Sequence, residues 1–226
     1  MENSNIEIIA SVTNALIAAI PIIGSPANSL ISDYQTDRKL KRLEELYINL
    51  RKEFESDPEL VNSEYLKKDD FLDLFEETAR NVVVERSQLK RLAFKNILVH
   101  SIVKSKVNYD RTEEYLDLLS KLREPHIYIL KILIDPVSFD KAQGNVVGNG
   151  SVGATSFSQI FKKLLPDWNE EDLLSVLADL ESERLTKDIF SGFNNMMTDH
   201  GIKQLFDRMT NKGTDFANYC LNSNYE

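Results

Sequence analysis

The sequence predicts a mainly α protein in two parts. An N-terminal helical domain covers residues 1–123, and an α+β module with a small β-hairpin covers residues 124–226. Three observations carry this. Apolar residues recur at three- and four-residue steps through most of the chain, which is the period of an amphipathic helix. Only eight Gly and six Pro interrupt the 226 residues, which fits a mainly helical protein. Toward the C-terminus the pattern reads helix, helix, helix, strand, loop, strand.

A chain of this length holds one large core or two modest domains. Its 42% apolar and 28% charged residues are ordinary globular composition. A net charge of −9 argues against a general nucleic-acid or membrane-surface coat, since both favour positive charge. The single Cys220 excludes an internal disulfide and fits a reducing cytosol. Three His and one Cys, widely scattered, offer no metal-ligand spacing. The opening "MENSNIEIIA" has acids and no base before its apolar run, the reverse of a secretory signal. A cytoplasmic location is expected.

From Ile8 to Ser32 there are 25 residues without a charge. That length reaches across a bilayer, but Pro21, Gly24 and Pro26 break the run. Ile9, Val12, Leu16, Ile20 and Ile23 form one apolar face, with Ser11, Asn14 and Ala18 off it. Two readings stand: a helix buried among others, or an exposed segment that meets a hydrophobic partner or a membrane. Asp33–Glu55 then reads as a long helix with Leu40, Leu43, Tyr47, Leu50 and Phe54 in a seam of two heptads. This short seam lies on a core in the favoured reading and forms a homodimer in the alternative. Pro58 ends the stretch.

One or two helices follow between Asp69 and Ser105. Phe71, Leu72, Leu74, Phe75, Ala79, Val82 and Val83 form a first stripe, and Leu89, Leu92, Ala93, Ile97, Val99 and Ile102 a second. Asp69 and Asp70 suit a helix start. Arg111–Arg123 is a short helix with Tyr115, Leu118, Leu119 and Leu122 on one side. Glu124–Asp135 is another, with Pro125 in its first turn. The next stretch, Pro136–Ser156, is dense in Gly, Ser and Asn and reads as a mobile loop. Helices at Ser156–Leu165 and Glu170–Arg184 follow, the latter capped by Asn169. Strands are expected near Leu185–Phe190 and Gln204–Met209, then a closing helix capped by Thr210.

This order is the winged-helix plan, in which the third helix reads the DNA major groove. Here that helix presents Glu170, Glu171, Asp172, Asp179, Glu181 and Glu183, with Arg184 only at its end. Ser151–Glu226 holds seven Lys/Arg against twelve Asp/Glu. Duplex DNA would repel such a helix, so a module that packs or docks protein is expected instead.

Arg80–Lys106 runs the other way, with seven Lys/Arg and one acid, a net of +6, while the rest of the chain nets −15. Arg86 and Lys90 are four apart, as are Arg91 and Lys95, so each pair shares a helix side. A solvated face that pairs with the acidic C-terminal region is one reading. The functional one makes Arg80, Arg86, Lys90, Arg91 and Lys95 a surface for an anion or an acidic partner. "GNVVGNGS" lacks the Lys-Ser/Thr ending of a phosphate loop. His100 and His126 sit on or near apolar faces, as packing histidines do. Glu76/Glu77 and Glu113/Glu114 are adjacent carboxylates that do not converge on a helix. No catalytic residue, metal ligand or cofactor is nominated, and no enzyme is expected.

Three stretches taken in order, "IPIIGSPANSLISDYQTDRKLKRLEEL", "FLDLFEETARNVVVERSQLKRLAFKNIL" and "EEYLDLLSKLREPHIYILKIL", resemble the Abi-alpha family of bacterial proteins, associated with abortive phage infection. The resemblance spans roughly Ile20–Leu133 and rests on helical pattern. "KLREPHIYIL" departs from it, with Arg-Glu where the family tends to have Ser. It implies a bacterial or phage-related cytoplasmic protein and no carried-over active site. The expectation is a non-enzymatic interaction or regulatory protein that works through protein–protein contacts. Its alternatives are a DNA-binding regulator using Arg80–Lys106 and a membrane-perturbing effector using residues 8–32.

Overall fold

The computed structural model describes residues 31–56, 61, 62, 64–103, 108–147, 156–196 and 201–221. The proposed apolar face Ile9, Val12, Leu16, Ile20 and Ile23 lies outside the described residues, as do Gly148–Ser151. The chain forms two compact units. One ends at Arg123 and takes in the chain from Tyr219 on; the other is Glu124–Asn218.

In the first unit α1 is Ile31–Ser56, α2 Asp69–Val84, α3 Gln88–Ile102 and α4 Tyr109–Lys121. On α1 the buried line is Leu43, Leu46, Leu50 and Phe54. The heptad seam is corrected: Leu40 is 42% exposed, and Leu46 takes the place given to Tyr47. Steps of three, four and four follow the straight helix period of 3.6 rather than a supercoil's 3.5. This line is covered by the same chain, because α1 packs on α2 and α3.

α2 opens on Asp69 and Asp70, which face the positive end of the helix dipole. It stops at Glu85, and Ser87 starts α3 by accepting the Lys90 N–H at 3.2 Å. The helix α3 is central. Every residue from Ala93 to Ile102 is buried, because α1, α2 and α4 all pack against it. The stripe read from sequence included Leu92, which is exposed, and omitted Phe94 and Leu98, which are fully buried. Asn108 caps α4 through the Arg111 N–H. The chain from Tyr219 adds the last piece of this unit. The Asn96 amide donates to the Cys220 carbonyl at 2.8 Å. The His100 ring stacks on the Tyr219 ring at 4.9 Å, and Tyr115 meets the Tyr219 ring edge-on at 5.1 Å. Burial pushes the Cys220 thiol well above its ordinary range.

The second unit holds α5 (Glu124–Ile134), α6 (Pro136–Ala142), α7 (Phe157–Leu164), α8 (Glu170–Ser182), a 3-10 helix at Gly201–Arg208, and α9 (Asn211–Leu221), whose residues through Asn218 belong here. α6 corrects the expected loop: Pro136 sits at its first position and the Asp135 carboxylate accepts the Ser138 N–H at 3.0 Å. Ser156 and Gln159 make a capping box at α7, and Asn169 caps α8 as its sequence suggests.

The expected β-hairpin is corrected too. Among the described residues there is no strand; Thr186 and Met209 form a single antiparallel bridge, and Gly201–Arg208 is helical. The physical reason lies in spacing. Leu185, Ile189 and Phe193 are buried at steps of four, and Ile202, Leu205 and Met209 at steps of three and four. A half-buried strand needs steps of two. Asp188, at φ +52°, also breaks any extended run. The winged-helix reading therefore keeps its helices and loses its wing.

α8 ends with Arg184 in the left-handed region, φ +59°. The Leu185 N–H reaches Leu180 O and the Arg184 N–H reaches Glu181 O, which is a Schellman closure with Leu180 and Leu185 both fully buried. Thr210 Oγ1 accepts the Gly213 N–H at 2.9 Å and so caps α9. Gly213 is required there: a Cβ would lie 1.9 Å from Leu185 O. Among the described residues no helix is long and apolar enough to cross a membrane.

Candidate functional site

The five predicted basic residues do not share one surface. Lys90 and Lys95 are only 6% and 5% exposed. Lys90 Nζ lies 2.9 Å from Glu85 and 5.8 Å from the centre of the Phe94 ring. Lys95 Nζ lies 2.5 Å from Glu53. Arg80 is exposed on α2 and pairs with Glu76 one turn earlier. These three partners, Glu85, Glu53 and Glu76, are acids of the first unit itself. Burial works against Glu85's charge, but N–H groups of Ser87 and Arg86 and the Lys90 ammonium outweigh it and hold that carboxyl below its ordinary range.

Arg91 and Arg86 belong to a different group, completed by two residues of α1 that the sequence reading passed over. Arg42 Nη1 donates to Val83 O at 2.7 Å, across 41 positions. Arg91 Nη1 donates to Arg86 O at 2.9 Å and Glu85 O at 3.3 Å, and its Nη2 lies 3.4 Å from Glu45. These carbonyls lie at or just beyond the C-terminus of α2, where backbone acceptors have lost their helical partners and the helix dipole is negative. The arginines satisfy them, and in doing so they crowd together. The Arg42 guanidinium is pushed below its ordinary range, by burial first and then by Arg91, Arg38 and Arg86. Arg38 and Arg86 are both exposed.

Beside the cluster is a cleft of about 280 Å³ whose lining includes Arg42, Glu45, Asn49, Gln88, Arg91 and Lys95. Its lining mixes cationic and neutral donors with one carboxylate. Guanidinium groups supply forked donors, the amides of Asn49 and Gln88 add neutral ones, and one carboxylate is partly engaged. The four-residue step from Arg38 to Arg42 could have been found in sequence; the convergence of α1 on the end of α2 could not.

Elsewhere in the first unit acids gather on α2 and α4. Glu77 is raised above its ordinary carboxyl range by burial, then by Asp117 and Glu113, against Arg80. Tyr65 is pushed up to about 12 by burial and then by Asp70 and Tyr109. Among the described residues no group of three His, Cys, Asp or Glu is placed to hold a metal ion. In the second unit His126 Nε2 lies 3.0 Å from Asp179 Oδ2, so one of the acids read as free on the third helix is engaged by a buried histidine. Glu170, Glu171 and Asp172 remain exposed in the first turn of α8. No family model, curated protein or solved structure matches the chain.

Proposed function

We propose that the chain is a cytoplasmic, non-enzymatic interaction protein that works through protein–protein contacts, and that Arg38, Arg42, Arg86 and Arg91 receive an acidic segment of its partner. The observation that carries this is the pair of guanidinium groups, Arg42 and Arg91, that lines one cleft, with Arg38 and Arg86 near enough to add to the positive charge that Arg42 meets. Carboxylates entering the cleft relieve that repulsion and take bidentate hydrogen bonds. A short acidic segment fits better than duplex DNA, because the chain nets −9 and a long polyanion would meet acids beyond the cluster. The sequence resemblance to the Abi-alpha family supports a role in phage defence.

The test uses the exposed pair. Fluorescence anisotropy is measured with a labelled glutamate-rich peptide and with a labelled duplex of equal length, at two salt concentrations. Arg38→Glu/Arg86→Glu should weaken the peptide by about tenfold or more, equivalent to ~1.4 kcal/mol. The peptide should also bind more tightly than the duplex. An unchanged affinity in the double variant defeats the assignment. Tighter duplex binding, falling steeply with salt, would instead make the cluster a nucleic-acid surface. Charge reversal at Lys90 or Lys95 is the wrong probe, since both are buried and paired.

A further inference from the structure

The second unit carries a cleft independent of the arginine cluster. It has a volume of about 650 Å³, and Phe157, Asp188, Gly192, Asn195, Gln204 and Arg208 are among its lining. Arg208 is unusual. Its guanidinium lies over the Phe157 ring at 5.1 Å. Its Nε is buried without a hydrogen-bond partner. Among the described residues its ion pair is to Asp188, 3.8 Å long and beyond hydrogen-bond reach, with side chains 29% and 73% exposed. An exposed pair at that distance contributes little. Arginine has five N–H donors, and a guanidinium that lines a cleft with its buried Nε–H unpartnered needs an explanation. The Phe157 ring packs against the guanidinium at cation–π distance, which limits where its donors can go.

We infer that this cleft binds a peptide through a single carboxylate on Arg208. Among the described residues one cation and one anion line the cleft, so a monoanion can displace the loose Asp188 contact while a phosphate dianion meets repulsion from it. The amide of Asn195 can serve the N–H and C=O groups of a backbone. The wall is shaped by a tight turn. Asp188 holds φ +52°, and a Cβ at Gly192 would come within 2.7 Å of Asp188 O. Asn tolerates such a conformation as Asp does, so Asp188→Asn removes the competing charge and leaves the turn intact.

The experiment titrates the full chain, ¹⁵N-labelled, with blocked tripeptides of alanine carrying a central glutamate or a central glutamine, with trialanine bearing a free C-terminal carboxylate, and with inorganic phosphate. The readouts are the Asn195 and Gln204 side-chain amides, the Gly192 N–H and the Arg208 Nε–H. Saturable shifts are expected from the glutamate peptide or the free acid, and whichever gives them identifies a side-chain or terminal carboxylate. The glutamine peptide should give none. Arg208→Gln should weaken binding by about tenfold or more. Asp188→Asn should tighten it severalfold. Three results each overturn the inference: no saturable shift from either carboxylate, equal binding of the glutamine peptide, or phosphate binding tighter than carboxylate. Asp188→Asn that leaves affinity unchanged or lower does so as well, and that arm holds even where Arg208→Gln fails to fold.

Discussion

The two units secure their most buried segments by different means. In the first, α3 runs through the core and brings cations with it, and Lys90 and Lys95 are kept there by Glu85 and Glu53. In the second, the chain after α8 is fastened by backbone. Leu185 O sits against Gly213 and accepts the Thr210 N–H, while Lys187 N–H bonds Arg208 O. Buried ion pairs are poor stabilisers against a well-packed apolar alternative, because desolvation offsets most of their attraction. A backbone approach allows no such exchange. The first unit should therefore tolerate re-engineering of its charges, and the second should not tolerate one added methyl group.

The sharpest test of that contrast is Gly213→Ala. A methyl carbon 1.9 Å from a carbonyl oxygen cannot be accommodated without moving backbone. A loss on the order of 3 kcal/mol or more is expected for the second unit, read by denaturant unfolding with hydrogen exchange to assign the unit. A loss below 1 kcal/mol would show that the approach is slack. Next in size is Lys95→Met. It leaves Glu53 without its partner, and because Glu53 can regain water the cost should be about 1–2 kcal/mol. Adding Glu53→Leu should recover most of it, and a double variant as unstable as the single would show that the pair itself holds α3. The smallest effect concerns Glu77. Its folded carboxyl lies above the unfolded value, so its penalty is present at neutral pH and disappears as pH falls through the raised value. Glu77→Gln should stabilise the first unit at pH 7 by a few tenths of a kcal/mol after solvent screening, and by nothing at pH 4. Glu85 has the opposite sign: its contribution is present above the unfolded carboxyl range and is lost as pH falls through the depressed folded value. Thermal melts across pH separate the two.

Local rules made the helices legible. Asn169, Thr210, Pro125 and the Asp69–Asp70 pair mark helix starts in the sequence, and they do so in the structure. The expected strands failed on period. Leu185, Ile189 and Phe193 already show the four-residue step in the sequence, but the winged-helix order outweighed it. α6 was hidden by the Gly, Ser and Asn that follow it, although Asp135 and Pro136 are a cap and a first-turn residue. The candidate sites were the least legible. Arg42 reaches Val83, and Lys95 reaches Glu53, across about forty positions of chain, and no local pattern encodes such a meeting. A count of positive charge found α3 but could not distinguish lysines with carboxylate partners inside from arginines left crowded at the rim.

The buried end of α9 gives the first unit a stopwatch. Cys220 is the chain's one thiol, it is enclosed, and the surrounding apolar groups suppress its thiolate. An alkylating reagent can reach it only during an excursion that uncovers it. Its modification rate, compared with that of a free thiol, therefore measures how often the region around Asn96 and His100 opens, in an otherwise unlabelled native chain.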